Sequence, residues 1–384
     1  MRDTSSVGIL TSGGDAPGMN SAVRAAFRAI KMREPDRELL FFRDGFRGLA
    51  RRLDSSSDRN VDRRAVRDII HRGGTFLGTG RVPELRLPED DADDREERLV
   101  ARDAFLRVAV ANLFQMNVGH LVVIGGDGSF RGARLIADAF REAFPKRPFE
   151  VVGIPATIDN DIYGTQFSIG FDSALNNVVD AIRKIRDTVE SHKRAIILEV
   201  MGNTSGWLAL QSAIAGGAAV VAIPEVAASY DHEAIVRRLA AGVARDYRYF
   251  IIVVAEGVHK RAGADWSQRL AERIEGDPVI REALGGPMEV RINSMGHVAR
   301  GGSPTALDNT LAGLLGSAAA DIIQLGHLPG EEPVSGDVVV GCRGPYPVVE
   351  SLADVVANSP RLVTEDSPLF QLSQKLMLQA EQPF

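Results

Sequence analysis

The sequence predicts an α/β protein made of two doubly wound lobes with mainly parallel sheets and a cleft between them. Short runs of Val, Ile and Leu alternate with stretches of helical periodicity, and nearly every run stops at a glycine or a polar residue. The alternation also fills the chain in two successive blocks, roughly residues 1–171 and 172–299. Unbroken apolar runs are the pattern of strands buried on both faces, which is the condition of a parallel sheet. Strands of such a sheet end on one edge, where doubly wound folds hold their ligands.

A chain of 384 residues accommodates two domains with substantial cores. A formal net charge of −6 argues against broad binding to nucleic acid or to an anionic membrane. An anionic ligand must therefore be held by local arginines and backbone N–H groups. The single cysteine, Cys342, excludes an intrachain disulfide framework and a cysteine-clustered metal site. Met1–Ser6 leads into a strand without a long apolar segment, and no stretch is apolar enough to span a bilayer. The expectation is a cytoplasmic enzyme acting on small anionic metabolites.

Taken in order, Val7–Leu10 reads as a strand, followed by the turn Thr11–Asn20 with Gly13 and Gly14, then a helix carrying Ala22, Val23, Ala26 and Ile30. Strand, glycine turn and helix aim free N–H groups at a phosphate. Leu39–Phe42 is the second strand. Phe46, between Gly45 and Gly48, can stack on a base or cap the core. Arg72–Arg81 is a second glycine-dense loop, ending in a cation able to neutralise phosphate oxygens. The acidic run Pro88–Glu97 reads as a solvated loop. A helix over about 98–116 leads to the strand Leu121–Ile124 and then to Gly125-Gly126-Asp127-Gly128-Ser129. A carboxylate among three glycines at a strand end can hold Mg²⁺ while the surrounding amides approach a polyphosphate.

The strand Val151–Ile154 ends in Pro155-Ala156-Thr157-Ile158-Asp159-Asn160-Asp161. Carboxylates at i and i+2 can share a metal or phosphate site, or one can serve as a base beside the other. A helix over 174–192, the strand Ala195–Val200 with the turn Met201–Trp207, and a short helix from Leu208 follow. Strands at Val220–Glu225 and Phe250–Ala255 flank a helix near 232–244, and the second of them stops at Glu256. Val290–Gly302 brings Arg291, His297 and Arg300 within ten positions, a plausible phosphate clamp. A helix over about 309–325, a strand near Val338–Val340 and a helical tail complete the reading.

With these residues on view, the chain resembles the 6-phosphofructokinases. Thr11–Asn20, Gly74–Arg81, Gly125–Ser129, Thr157–Asp161, Glu199–Gly202, Glu256 and Gly296–Gly302 match that family in order, across about residues 7–350. The resemblance implies two Rossmann-like lobes: 1–171 with 300–349 for the nucleotide, and 172–299 with 350–384 for the sugar phosphate. It implies phosphoryl transfer from ATP, with Mg²⁺, to the 1-hydroxyl of fructose 6-phosphate in glycolysis. By the same resemblance Asp159 is the general base, Thr157 steadies the transferring group, Asp161 shapes the metal and water environment, and Arg81 lies near that group. Gly14, Phe46, Arg81, Val82, Gly126, Asp127, Gly128 and Ser129 would bind the nucleotide, with Asp127 as the metal ligand. Thr157, Ile158, Asp159, Met201, Gly202, Asn203, Glu256, Arg291, His297 and Arg300 would bind the sugar phosphate. Arg194 would reach it from a neighbouring subunit, in a homodimer or homotetramer without nucleic-acid or membrane partners.

Departures from the family pattern bear on donor and regulation. Asn203 stands where the bacterial ATP enzymes carry an arginine, leaving Arg81 a larger share of charge stabilisation. Pyrophosphate-using relatives place Asp at the position of Gly128 and Lys at that of Ala156, so these two residues favour ATP. Arg24, Arg28 and Arg186 resemble the family's effector site, but Ala219 and Tyr247 replace its glutamate and lysine, which implies altered allostery. The alternatives are a pyrophosphate-dependent enzyme and a non-catalytic phosphosugar or nucleotide sensor.

Overall fold

The computed structural model describes residues 5–51, 64–85 and 94–380. Met1–Thr4 and most of the acidic run, as far as Asp93, lie outside the described residues. Ten strands are described: β1 (Ser6–Thr11), β2 (Leu39–Phe42), β3 (Val118–Gly125), β4 (Glu150–Pro155), β5 (Ala195–Val200), β6 (Val220–Ala222), β7 (Phe250–Ala255), β8 (Val290–Ser294), β9 (Val338–Arg343) and β10 (Tyr346–Ser351). The helices are α1 (Met19–Arg33), α2 (Arg95–Gln115), α3 (Asp127–Ala143), α4 (Phe171–His192), α5 (Trp207–Gly216), α6 (His232–Ala244), α7 (Gly257–Ala262), α8 (Trp266–Gly276), α9 (Pro278–Leu284), α10 (Ala306–Leu325), α11 (Leu352–Asn358) and α12 (Pro368–Leu376).

Two compact units result. The first comprises the chain as far as Ile158, Ile162–Asp172 and Arg300–Pro360; the second comprises Asp159–Asp161, Ser173–Ala299 and Arg361–Phe384. The division departs from the expected one at two places. The hairpin and helix over 350–360 cluster with the first unit, and the short Asp159–Asp161 segment clusters with the second. Both departures have local causes. Val348, Val349 and Glu350 pair with β9, while the carbonyls of Asp159 and Asp161 accept hydrogen bonds from Ser205 and Arg361.

The first unit carries a six-stranded sheet in the order β10-β9-β4-β3-β1-β2. Every pairing in it is parallel except that of β10 with β9. That antiparallel hairpin was not expected from the sequence, because Pro347 and half-exposed neighbours weaken the strand signal of 346–351. Proline is nevertheless admissible there, since β10 is an edge strand. Gly344, at φ 59°, makes the left-handed turn into it. Buried Leu10, Val123, Phe130, Ile136, Phe140 and Val151 form the core on one face. On the other side of the unit α1 packs closely along α10. Gly316 permits this, because a Cβ there would stand 2.7 Å from the Ala25 Cβ and 2.8 Å from the Ala22 carbonyl oxygen.

The second unit carries a four-stranded, fully parallel sheet in the order β6-β7-β5-β8. Ile197, Leu239, Phe250, Ile252, Trp266, Leu270 and Ile280 lie in its core. Helices α8 and α9, separated by the cap Asp277, went unread in the sequence although Pro278 at the start of α9 follows the usual rule for a first helical position. No helix among the described residues is long and apolar enough to cross a membrane.

Replacing Gly316 with valine should wedge α10 from α1 and cost about 1–3 kcal/mol of stability. Urea unfolding of the variant beside the native chain measures this, and an unchanged midpoint would show that the two helices separate freely.

Candidate active site

In the first unit, parallel pairing delivers three turns to one sheet edge. Thr11 lies beside Ile124 and Gly125 beside Pro155. Backbone hydrogen bonds extend the ladders past the strand ends, from Ser12 N–H to the Ile124 carbonyl at 2.9 Å and from Ala156 N–H to the Gly125 carbonyl at 2.9 Å. The two glycine-dense loops are laced together here. Thr11 Oγ1 lies 2.8 Å from Thr75 Oγ1 and donates to the Gly78 carbonyl at 2.9 Å, while Thr79 Oγ1 donates to the Gly13 carbonyl at 2.9 Å. The Asn20 side chain donates to the Arg72 carbonyl and accepts from the Phe76 N–H.

Gly126 precedes α3, and Asp127 is its first residue, so its carboxylate sits where exposed N–H groups favour negative charge. Arg131, one turn on, donates from Nε to Asp127 Oδ2 at 3.1 Å, with Oδ1 at 3.0 Å. Its Nη2 donates to the Ser359 carbonyl at 2.6 Å. Oδ1 of Asp127 is buried and accepts no hydrogen bond. Nothing lies within 4 Å of a Cβ built on Gly128, so the backbone is open to a ligand at that point. A Cβ on Gly126 would stand 3.4 Å from Thr157 Cβ, which places Thr157 against the same turn. Ser129 Oγ is buried without a partner, packed on Gly13 and Gly125. Asp127 is not part of any cluster of three or more His, Cys, Asp or Glu among the described residues. That donor set fits Mg²⁺ held by one carboxylate together with phosphate oxygens and water, and does not fit an all-protein cage.

Other expected nucleotide residues are placed differently from one another. Arg81 is exposed. Phe46 is 3% exposed with its ring against Gly132, and Val82 is buried in the same core, so both side chains serve packing in this structure. Arg300, expected with the sugar-phosphate set, packs on the turn that carries Gly14 and Asp15. Its Nη1 donates to the Asp15 carbonyl at 3.2 Å and occupies the space a Cβ on Gly14 would need.

In the second unit the ends of β5, β7 and β8 gather the remaining candidates. Gly202, at φ 142°, has no room for a side chain, because its Cβ would meet the Ser205 carbonyl oxygen at 2.5 Å. Gly257 N–H donates to the Gly202 carbonyl at 3.0 Å, which joins the turn after β5 to Glu256 at the start of α7. Met201 is buried. Asn203 accepts a hydrogen bond from Lys260 on α7. Arg194 and Arg291 both pair with Glu289, the former at 3.0 Å. Arg291 and His297 are exposed. Asp159 is half-buried, Asp161 is buried, and Ile158 of the first unit is buried.

Arg131, Lys260 and Arg361 went unnoticed in the sequence. The spacing of Arg131 to Asp127, i to i+4 on a helix, was a readable signal. Nothing local pointed to the other two. The expected effector residues are divided between the two units. Arg24 and Arg28 line a cavity of about 820 Å³ with Lys31, Arg64 and Arg67. Burial, then the nearby Arg28, push the Arg24 guanidinium below its ordinary value, against Asp68. Arg186 instead donates to the carbonyls of Gly216 and Gly217 in the second unit.

Two parallel α/β units, with glycine-lined turns and an acidic helix start at the sheet edge, define a protein of the class that handles phosphorylated ligands. Residues 6–323 match the family profile named Phosphofructokinase. The ATP-dependent 6-phosphofructokinase of Bacillus licheniformis is 40% identical over 372 residues, covering 97% of this chain and 99% of that one. The phosphofructokinase of Saccharomyces cerevisiae superposes with a TM-score of 0.73 at 28% identity, over 92% of this chain and 45% of the yeast chain. The chain thus spans under half the length of that relative. A pyrophosphate-dependent phosphofructokinase from Nitrosospira multiformis shares the fold, with a TM-score of 0.72 at 17% identity over 99% of this chain and 94% of its own. The chain belongs to the phosphofructokinase family.

Glu225 ties the start of α5 to the segment after Arg361, because its Oε1 accepts from Gly206 N–H at 2.8 Å and Val363 N–H at 3.2 Å. Burial pushes this carboxyl above its ordinary value, opposed by backbone N–H groups and by Arg261. A raised folded value means the folded state holds the proton more tightly. Stability from this group is then full below the ordinary carboxylate range and declines as pH rises through the raised value. Glu225→Gln, which keeps the acceptor without the charge, should flatten the decline in melting temperature on the alkaline side of that range. Thermal unfolding followed across pH checks this, and parallel curves for the two proteins would contradict it.

Proposed function

We propose that this chain is an ATP-dependent 6-phosphofructokinase, transferring the γ-phosphoryl group of ATP to the 1-hydroxyl of fructose 6-phosphate in glycolysis. The supporting observation is the open backbone at Gly128 beside Asp127 and Thr157, on an edge where the N–H groups of α3 begin. An inner phosphate of a nucleotide fits there, whereas a carboxylate side chain on residue 128 would intrude and repel it. The 40% identity to an ATP-dependent relative over nearly the whole chain supports the same donor.

Asp159 takes the proton of the C1 hydroxyl as its oxygen bonds to the γ-phosphorus, and the bond from that phosphorus to the β–γ bridging oxygen breaks, releasing ADP. Mg²⁺, held by Asp127, supplies charge neutralisation to the phosphate oxygens when bound. Thr157 and Arg81 steady the transferring group, and Gly14, Gly126, Gly128 and Ser129 receive the nucleotide phosphates. Glu256, Met201, Gly202, Asn203, Arg291 and His297 hold the sugar phosphate. Phosphoryl transfer needs little beyond such positioning and neutralisation. Arg300, on the Gly14 turn, belongs by its position as much to the nucleotide as to the sugar. Arg194 serves a neighbouring subunit in a homodimer or homotetramer, and a cytoplasmic location belongs to the same reading. The cavity beside Arg24 and Arg28 is the place of an altered effector response.

Asp159→Asn should lower kcat about 10²–10⁴-fold with sugar-phosphate binding nearly kept. Coupled-assay turnover together with fructose 6-phosphate binding tests this, and near-native turnover would remove Asp159 from the role of base. Gly128→Asp should raise the KM for ATP at least about tenfold, read from initial rates at varied ATP. Efficient turnover of the native protein on pyrophosphate alone would overturn the choice of donor.

A further inference from the structure

The C-terminal segment that begins at Arg361 makes contacts that the proposed chemistry does not yet use. Three consecutive carbonyls, those of Asp159, Asn160 and Asp161, each accept a hydrogen bond from outside their own turn. Ser205 Oγ donates to Asp159 at 3.0 Å, Arg361 Nη2 to Asn160 at 3.4 Å, and the Arg361 backbone N–H to Asp161 at 2.5 Å. Two of the three donors therefore come from one residue, some 200 positions away in sequence. Asn160, at the centre of the turn, sits at φ 49°, in the left-handed region that asparagine accepts more readily than most side-chain-bearing residues.

Arg361 is itself fixed from both sides. Its guanidinium lies 5.3 Å from the centroid of the Trp207 ring, and Trp207 Nε1 donates to the Arg361 carbonyl at 2.8 Å. Two residues on, Val363 N–H meets the Glu225 carboxylate that also holds Gly206. Burial pushes the Arg361 guanidinium below its ordinary value, opposed by the nearby Asp161. The tail continues through α12, which packs on α5, to Leu378, whose N–H donates to the Ala219 carbonyl at 3.0 Å. The strap is thus a docked part of the second unit and no loose end.

We propose that Arg361 is a positioning residue for Asp159: its guanidinium, set over the Trp207 ring, holds the Asn160 carbonyl beside the backbone bond to Asp161, and this side-chain hold fixes the direction in which the Asp159 carboxylate is presented. The inference rests on Asp159 being the base, as set out above. Its physical content is preorganisation, since a base that wanders by an ångström loses turnover while substrate binding, carried by other residues, is kept.

The test is steady-state kinetics on the full chain with Arg361→Ala, Arg361→Lys, Trp207→Phe, Asp159→Asn and the double variant Arg361→Ala/Asp159→Asn. Arg361→Ala is expected to lower kcat about 10–100-fold while both KM values stay within about threefold. Arg361→Lys, which keeps the charge but not the planar fork, and millimolar guanidinium added to Arg361→Ala are each expected to recover part of the loss. In the Asp159→Asn background, Arg361→Ala is expected to cost less than about threefold more, because a residue acting through Asp159 has nothing left to position. A native kcat in Arg361→Ala, a loss confined to KM, or full additivity in the double variant would overturn the inference. Should Arg361→Ala fail to fold, Arg361→Lys and Trp207→Phe decide, and native kcat in both overturns it. Asp159→Asn separates the two readings: if it turns over normally, the base assignment fails whatever Arg361 does; if it is inactive while the Arg361 variants are native, only the positioning role fails.

Discussion

The in-register parallel pairing of β3 between β1 and β4 is the constraint on which the first unit's site depends. The pairing sets the ends of all three strands level, so the turns that follow Thr11, Gly125 and Pro155 begin side by side. Gly125 shows how little slack remains, since a Cβ there would stand 2.6 Å from the Ser12 carbonyl oxygen and 2.5 Å from Ser129 Oγ. A slip of one residue in any of these ladders would turn every side chain to the opposite face and bring the turns out of line. Buried Val122, Val123, Val151 and Val152, packed on both faces of the sheet, oppose such a slip. The position of Asp127 is in this sense held by buried aliphatic side chains.

Electrostatics in the second unit follows a similar economy. With a net charge of −6 the protein has no general attraction for anions, and its cations are arranged by individual acidic partners. Glu289 pairs with both Arg194 and Arg291, and Glu199 lies 3.2 Å from His259 Nε2. The half-exposed Glu289 carboxylate is thus shared between two guanidinium groups, and exposed pairs of this kind hold their partners weakly. In the first unit Asp127 pairs with a single guanidinium, that of Arg131.

What the sequence disclosed and what it withheld divide along sequence distance. Every expected strand is present, because a buried parallel strand is written in consecutive apolar residues such as Ile196, Ile197 and Leu198. The glycine turns were equally readable, since the need for an open or left-handed backbone at Gly13 or Gly202 is local. The hairpin strand over 346–351 was hidden by its edge position and its proline. Phe46 looked the same in sequence whether it stacked on a base or filled the core, and only its neighbours Gly132 and Leu49 favour the latter. Arg300 looked like part of a clamp with Arg291, nine residues before it, yet packs on Gly14 near the start of the chain. Contacts of this kind depend on tertiary approach, which no periodicity encodes.

Asn203 illustrates how a departure read in one dimension changes meaning in three. Read from the sequence alone, a neutral amide at this turn and the altered effector residues Ala219 and Tyr247 together motivate the non-catalytic sensor. In the structure Lys260, one turn into α7, reaches back to the Asn203 side chain, and the backbone of Gly257 is bonded to Gly202 beside it. The two elements are neighbours because β5 and β7 pair directly, with Val200 beside Ala255. A cation is therefore present at this turn, supplied from α7 and hydrogen-bonded to the Asn203 amide oxygen. An ammonium is a compact point charge without the planar fork of a guanidinium, so it can neutralise a phosphate while giving less directional control. The turn after β5 therefore carries a positive charge delivered from α7, and the neutral amide at position 203 does not leave it uncharged.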